Sequence, residues 1–188
     1  MKKALVIVAH PDDETIWMGG TILRNKNWEW TIFSLCRKND VDRAPKFKKV
    51  CEIYNASSII SDLDDEILEP LDISEVADKM KEKISGEWDY IFTHGENGEY
   101  GHLRHKEVHR AVKEMIRKKE LNCKNLFFFS YVLPSGNKIP SPTDAADLKI
   151  NLNKTEMNAK RKVIKDVYGF KENSFEFLSC KKEESFNN

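Results

Sequence analysis

Cysteine is scarce in this chain and badly spaced for any structural use. Cys36, Cys51, Cys123 and Cys180 lie far apart, with no CxxC pair and no framework pattern. That excludes a disulfide scaffold and a cysteine-rich zinc site, and it suits thiols kept reduced in a cytosol. An excess of either charge is missing too: 31 Lys and Arg balance 31 Asp and Glu, so there is no electrostatic footprint for nucleic acid or an anionic membrane. Basic clusters such as Arg117–Lys119 read as solvated helix faces. No apolar run approaches the ~20 residues of a membrane span. The stretch after Met1-Lys2-Lys3 is apolar only over Ala4–Ala9, too short for a secretory signal, which leads to the expectation of a cytoplasmic protein. The turn after that stretch also lacks a GxGxxG phosphate cradle, which argues against a simple nucleotide-binding module.

What is present is an alternation of strand and helix patterns in a chain of 188 residues, enough for one self-sufficient core. Ala4–Ala9 is continuous and β-branched, the pattern of a strand buried on both faces. Helical periodicity follows over 14–26, a strand over 28–35, a helix over 47–54, a short strand over 58–60, a helix over 76–84 and a strand over 88–93. Val108, Ala111, Val112, Met115 and Ile116 then form one helical stripe, and 126–131 reads as another strand. The proline-containing stretch 133–147 reads as a loop, 148–152 as an edge strand and 155–168 as a closing helix. This order predicts a doubly wound, mostly parallel α/β sheet in a single domain over residues 1–180. Residues 181–188 read as a polar tail that frays.

Two polar clusters fall where strands end, the rim on which open α/β sheets bind ligands. The first is His10-Pro11-Asp12-Asp13-Glu14. A lone aspartate there is best read as a helix cap, but a cap does not account for a histidine and two adjacent carboxylates packed against a wholly apolar strand. The second cluster, 93–105, carries His94, His102 and His105. His102 and His105 share a helix face, and His105 sits three residues before Val108 on the apolar stripe, aimed inward. Taken with His10 and Asp13, His105 completes two imidazoles and one carboxylate, the donor set of a catalytic zinc, although iron or manganese suits the same donors. His105 and His109 have the zincin spacing, but Lys106 stands where that motif needs glutamate, so His109 is left as a supporting or surface residue. Glu14 is read as a first-turn helix residue, and Gly19-Gly20 as a place where the helix approaches the sheet.

Ala9-His10-Pro11-Asp12-Asp13-Glu14, followed by Gly19-Gly20, resembles the signature of the PIG-L/LmbE-like family of metal-dependent de-N-acetylases, and Gly98-x-Tyr100-Gly101-His102-x-x-His105 resembles its second motif. The resemblance implies a Rossmann-like, LmbE-like three-layer sandwich. It implies zinc (or another divalent metal such as iron) on His10, Asp13 and His105, with Asp12 as general base in amide hydrolysis. It implies that Tyr100 and His102 stabilise the oxyanion and that Arg43 lies near the substrate, a small N-acetylglucosamine-containing molecule. Trp17, close to the metal loop, is then a candidate for stacking on a sugar, and the loops 37–45 and 134–142 are candidate pocket walls. Hydrolysis of another amide, such as a glycosyl-cysteine conjugate or an acylated metabolite, and a metal-binding but inactive homologue remain as alternatives. The chain departs from the family pattern at Leu103-Arg104, where Pro-Asp is usual, and at Lys46, where glutamate is usual. An arginine at 104 is expected to keep the neighbouring His102 neutral.

Overall fold

Alternate side chains of the first strand enter two different cores, which is why Ala4–Ala9 is apolar without a break. In the computed structural model, which describes residues 1–188, β1 (Lys3–Val8) sends Ala4, Val6 and Val8 into one buried cluster and Leu5 and Ile7 into the other. The chain continues through α1 (Asp13–Arg24), β2 (Glu29–Cys36), α2 (Arg43–Tyr54), β3 (Ala56–Leu63), α3 (Ile73–Lys81) and β4 (Glu87–Thr93). After a single turn, α4 (Gly98–Gly101), come α5 (Leu103–Arg117), β5 (Asn122–Phe129), the small hairpin of β6 (Tyr131–Val132) with β7 (Ser141–Pro142), and β8 (Leu148–Asn151). The chain ends with α6 (Lys154–Lys162), which runs on into a π turn at Val163–Val167, then α7 (Phe175–Ser179) and β9 (Glu183–Asn187).

The main sheet has seven strands in the order β3-β2-β1-β4-β5-β9-β8. β1 to β5 are mutually parallel, and β9 and β8 add antiparallel. Helices α1, α2 and α6 cover one face and α3 and α5 the other, giving the three-layer α/β sandwich. No helix is long and apolar enough to cross a membrane.

The terminal residues correct the expectation of a fraying tail. β9 lies between β5 and β8, and Glu184, Ser185 and Phe186 are buried. The Glu184 carboxylate accepts from the amides of Gly20 and Thr21, from the Thr21 hydroxyl and from the Lys160 ammonium at 2.7 Å. The polar composition of this segment therefore hides a strand, because its polar side chains are satisfied inside the protein and not by water. Gly19 and Gly20 do serve close approach, but to other elements than the sheet. A Cβ on Gly19 would sit 2.8 Å from the Tyr54 hydroxyl of α2, and one on Gly20 would overlap the Leu152 side chain.

Candidate active site

The sheet order reverses between β1 and β4, with α1 leaving to one face and α5 to the other, so a crevice opens beyond the ends of these two strands. Both polar clusters border it. A cavity of about 300 Å³, in the range of small-ligand sites, is lined by His10, Asp12, Asp13, Arg43, Tyr100 and His102, together with Arg37, Asp40, Asp65, Phe175 and Glu176. The loop after β2 thus forms a wall through Arg37, Asp40 and Arg43. The expected second wall, 134–142, is absent from the lining, and α7 takes its place through Phe175 and Glu176.

Three donor atoms converge at the floor. His10 Nδ1 lies 3.3 Å from Asp13 Oδ2, His105 Nε2 lies 3.4 Å from the same oxygen, and the two nitrogens are 3.3 Å apart. A tetrahedral site with bonds of about 2.0–2.1 Å has edges of about 3.3–3.4 Å, so the triangle has the size of one face of a zinc tetrahedron. Proton positions agree. His10 Nε2 meets the Asp65 carboxylate at 3.1 Å, and His105 Nδ1 meets the Glu99 carboxylate. A carboxylate only accepts, so in the neutral imidazoles these nitrogens carry the protons, which leaves the lone pairs of the facing pair for a cation. Two lone pairs and a carboxylate oxygen pointing at one spot are stabilised by a cation there. Burial pulls the His10 imidazole down, but bonds to Asp13 and Asp65 outweigh it.

Each donor is held from behind, the arrangement that orients metal ligands. Asp13 Oδ1 accepts from Trp17 Nε1 at 2.9 Å, and Oδ2 accepts from the His10 amide at 2.9 Å. Trp17 is fully buried. It therefore cannot stack on a sugar, which corrects its assignment: the indole positions Asp13. Glu99, in a left-handed turn at φ 58°, also accepts from the Gly95 amide at 2.7 Å and from His94 Nδ1 at 2.9 Å. Burial would raise its carboxyl, but the His94 and His105 imidazoles hold it down at about 2. His94 packs flat against His105 and its Nε2 comes within 3.5 Å of Asp13, yet that nitrogen accepts the Ala9 amide at 2.9 Å, which removes it as a donor to a metal. His109 is buried and its Nδ1 bonds the His94 carbonyl at 2.9 Å.

Asp12 occupies the cap position of α1 without capping it: its side chain makes no cap hydrogen bond and its φ is 113°. Such a backbone costs on the order of 1–3 kcal/mol and persists only where neighbours impose it. Glu14, fully buried, accepts the Asp12 amide at 3.0 Å and is itself gripped by Thr15 and the Tyr168 hydroxyl. This turns the Asp12 carboxylate into the cavity, where Oδ2 accepts from Arg43 Nη1 at 2.6 Å. Burial, then Asp13, raise the Asp12 carboxyl well above the usual range against the pull of Arg43. Arg43 is further pinned over the Phe170 ring at 4.4 Å. Lys46 pairs with Asp42 at 2.7 Å and does not line the cavity.

Tyr100 and His102 face the same space from the other side. The His102 ring lies 4.8 Å from that of His10 and 4.7 Å from that of His105, and its buried Nδ1 has no partner in the protein. Burial, then His105 and His10, push it down to about 3, so it is neutral. The expectation that Arg104 causes that neutrality is corrected, because Arg104 turns away to the segment after β3. Sequence reading also passed over Glu99 and Asp65. Glu99 lies inside the motif between glycines, a usable signal. Asp65 lies in the acidic run Asp62–Glu66, which looks like solvated surface.

The profile of the PIG-L family, GlcNAc-PI de-N-acetylase, matches residues 5–116. That span holds every donor described above together with Asp12, Arg43, Tyr100 and His102, and it ends before Phe175 and Glu176. Protein L374 of Acanthamoeba polyphaga mimivirus is 24% identical over 144 residues, 68% of this chain; the match spans only 61% of that protein's length. Among solved structures, the conserved protein TT1542 of Thermus thermophilus superposes with a TM-score of 0.70 at 16% identity, over 100% of this chain and 94% of that one. GalB, the 4-carboxy-2-hydroxymuconate hydratase of Pseudomonas putida, gives 0.71 at 15% identity over 100% and 95%. The N,N′-diacetylchitobiose deacetylase of Pyrococcus horikoshii gives 0.64 at 17% over 99% and 83%. At these identities the structural likeness speaks for the fold alone.

Proposed function

The chain belongs to the PIG-L family, GlcNAc-PI de-N-acetylase, and on that premise we propose that it is a metal-dependent de-N-acetylase acting on an N-acetylglucosamine-containing molecule. The observation that carries this reading is the triangle of donor atoms on His10, Asp13 and His105, with sides of 3.3–3.4 Å, beside an aspartate held in a separate direction. A divalent cation on those three residues, zinc by the donor set with iron as the alternative, supplies Lewis-acid activation of a water and of the acetyl carbonyl.

The remaining work belongs to the side chains. Asp12 takes the proton of the attacking water: Arg43 occupies Oδ2, which leaves Oδ1 toward the cavity, and its raised proton affinity suits a general base. Asp13 cannot replace it, since one oxygen holds Trp17 and the other faces the imidazoles. The Tyr100 hydroxyl and a neutral His102 supply N–H or O–H donors for the developing oxyanion, each worth ~3–4 kcal/mol of barrier when well aimed. The protonated Asp12 then returns its proton to the leaving amine. Arg43 acts mainly by fixing Asp12 and only at its edge on substrate.

The test combines metal analysis with an assay for released amine on N-acetylated sugars. Amine release is the required readout because a hydratase shares the fold. Asp12→Asn is expected to retain metal and to lose turnover by ~10²-fold or more, whereas His105→Ala loses the metal. Unchanged amine release by Asp12→Asn would falsify the reading.

A further inference from the structure

We propose that Arg104, in the first turn of α5, is a positioning residue for the metal site and acts through Asp65. The inference rests on the proposed function in one respect, that His10 is a metal ligand.

The segment between β3 and α3 carries Asp65, the carboxylate behind His10 Nε2. Nothing in its own backbone holds it: residues 64–71 make no main-chain to main-chain hydrogen bond. Five of them in a row, Glu66 to Pro70, are exposed. Its carbonyls are collected instead by one fully buried guanidinium on α5. Arg104 Nε donates to the Asp64 carbonyl at 2.6 Å, Nη1 to the Glu69 carbonyl at 2.8 Å and Nη2 to the Ile67 carbonyl at 2.9 Å. Nη1 also meets Glu107 at 2.7 Å, and the second Glu107 oxygen accepts the Leu71 amide at 2.8 Å. Arginine alone among side chains has a rigid fork of five N–H donors able to span three carbonyls and a carboxylate at once. The clamp therefore ties the loop to α5, the same helix that bears His105 in its first turn. Together with Arg37, whose Nη2 donates to Asp65 Oδ2 at 2.5 Å, it sets the distance between Asp65 and His10, and with it the face that His10 presents to Asp13 and His105.

A buried ion pair is by itself weak evidence for a stabilising role, and removing one partner leaves the other uncompensated. The test must therefore separate positioning from bulk stability. Arg104→Lys keeps a charge for Glu107 but cannot reach all three carbonyls. Asp65→Ala leaves the clamp intact and removes its far end. The full-length protein, stripped of metal, is titrated with Zn²⁺ against a competing chelator, and hydrogen exchange is followed at the Leu71 amide, the one N–H of this loop that the clamp holds, through Glu107. Both variants are expected to weaken Zn²⁺ binding about tenfold or more, the usual effect of losing a partner behind a metal ligand. Exchange of the Leu71 amide should rise in Arg104→Lys and stay at the wild-type rate in Asp65→Ala. The double variant should bind no more weakly than Asp65→Ala, because the two changes break one chain of contacts.

Additive losses, or an Asp65→Ala affinity equal to wild type, would overturn the clamp. The second of these results holds even if Arg104→Lys does not fold. Wild-type protein that takes up no Zn²⁺ overturns the metal site itself, so failure of the function and failure of the clamp give different results.

Discussion

A tryptophan one helical turn after a candidate metal-binding aspartate has two uses open to it, a ligand platform or a hydrogen-bond donor, and burial decides between them. Trp17 is wholly enclosed and its indole N–H ends on Asp13 Oδ1. Trp17→Phe keeps most of the packing and removes that donor. The expected result is a loss of about tenfold in Zn²⁺ affinity with no separate rise in KM for the sugar once metal is saturating; a stacking residue would give the reverse. Glu99 acts at the same scale. Its carboxyl is held at about 2 in the fold against an ordinary 4.5, burial being outweighed by His94 and His105. A depressed value means that the stability it contributes is fully present above 4.5 and is lost as pH falls through about 2. Metal-free Glu99→Gln, which cannot ionise, should therefore lose less melting temperature than metal-free wild type across that window. Thermal melts at a series of pH values measure this.

Helix α1 shows how one element serves both packing and chemistry. Its start is bent by the strained Asp12, its first turn carries Asp13, Glu14 and Trp17, and its middle is thinned by Gly19 and Gly20 so that Tyr54 and Leu152 can press on it. In isolation two interior glycines cost roughly 1 kcal/mol each against alanine. Here the added methyl has no room. Gly20→Ala is expected to destabilise the fold by ~1–3 kcal/mol, as overpacking does, despite the better helix propensity. Leu152→Ala in the same chain should make the double variant less destabilised than the sum of the two single changes, because the residues are in contact. Denaturant unfolding of the four proteins reads this coupling. The terminal strand makes the same point about elements. Its composition suggests a tail, but β9 is the piece through which β8 joins the sheet.

At the scale of the molecule, the sheet is closed from its far end inward. The chain returns with β9 to lie against β5, and Glu184 on it reaches across to the backbone of α1 and to the buried Lys160 of α6. Glu184→Ala would take the one carboxylate shared by the Lys160 ammonium and the Gly20 and Thr21 amides out of the interior and leave Lys160 only the Lys181 carbonyl at 3.5 Å. The expected cost is ~3–5 kcal/mol, measured by equilibrium unfolding, a large share of the stability of a domain this size. Removal of residues 181–188 should be worse still and yield no cooperative unfolding transition. A truncated protein that melted like the full chain would restore the reading of a loose tail.

The order of strands and helices, the rim on which the polar clusters meet, and the candidate metal donors His10, Asp13 and His105 were all legible in the linear chain. Each rests on local physics: an apolar run of strand length, a helical stripe, or two short motifs at strand ends. The partners behind those donors were not legible. Asp65 approaches His10 across 55 residues, Arg104 holds its loop from another layer, and Glu184 meets Gly20 across 164. Charged residues such as these look solvated in sequence, because a sequence does not say which carbonyls and amides will be brought to them. Only the packed fold, by excluding water and supplying those partners, turns an acidic run into the support of the His10 imidazole and a polar terminus into an interior strand.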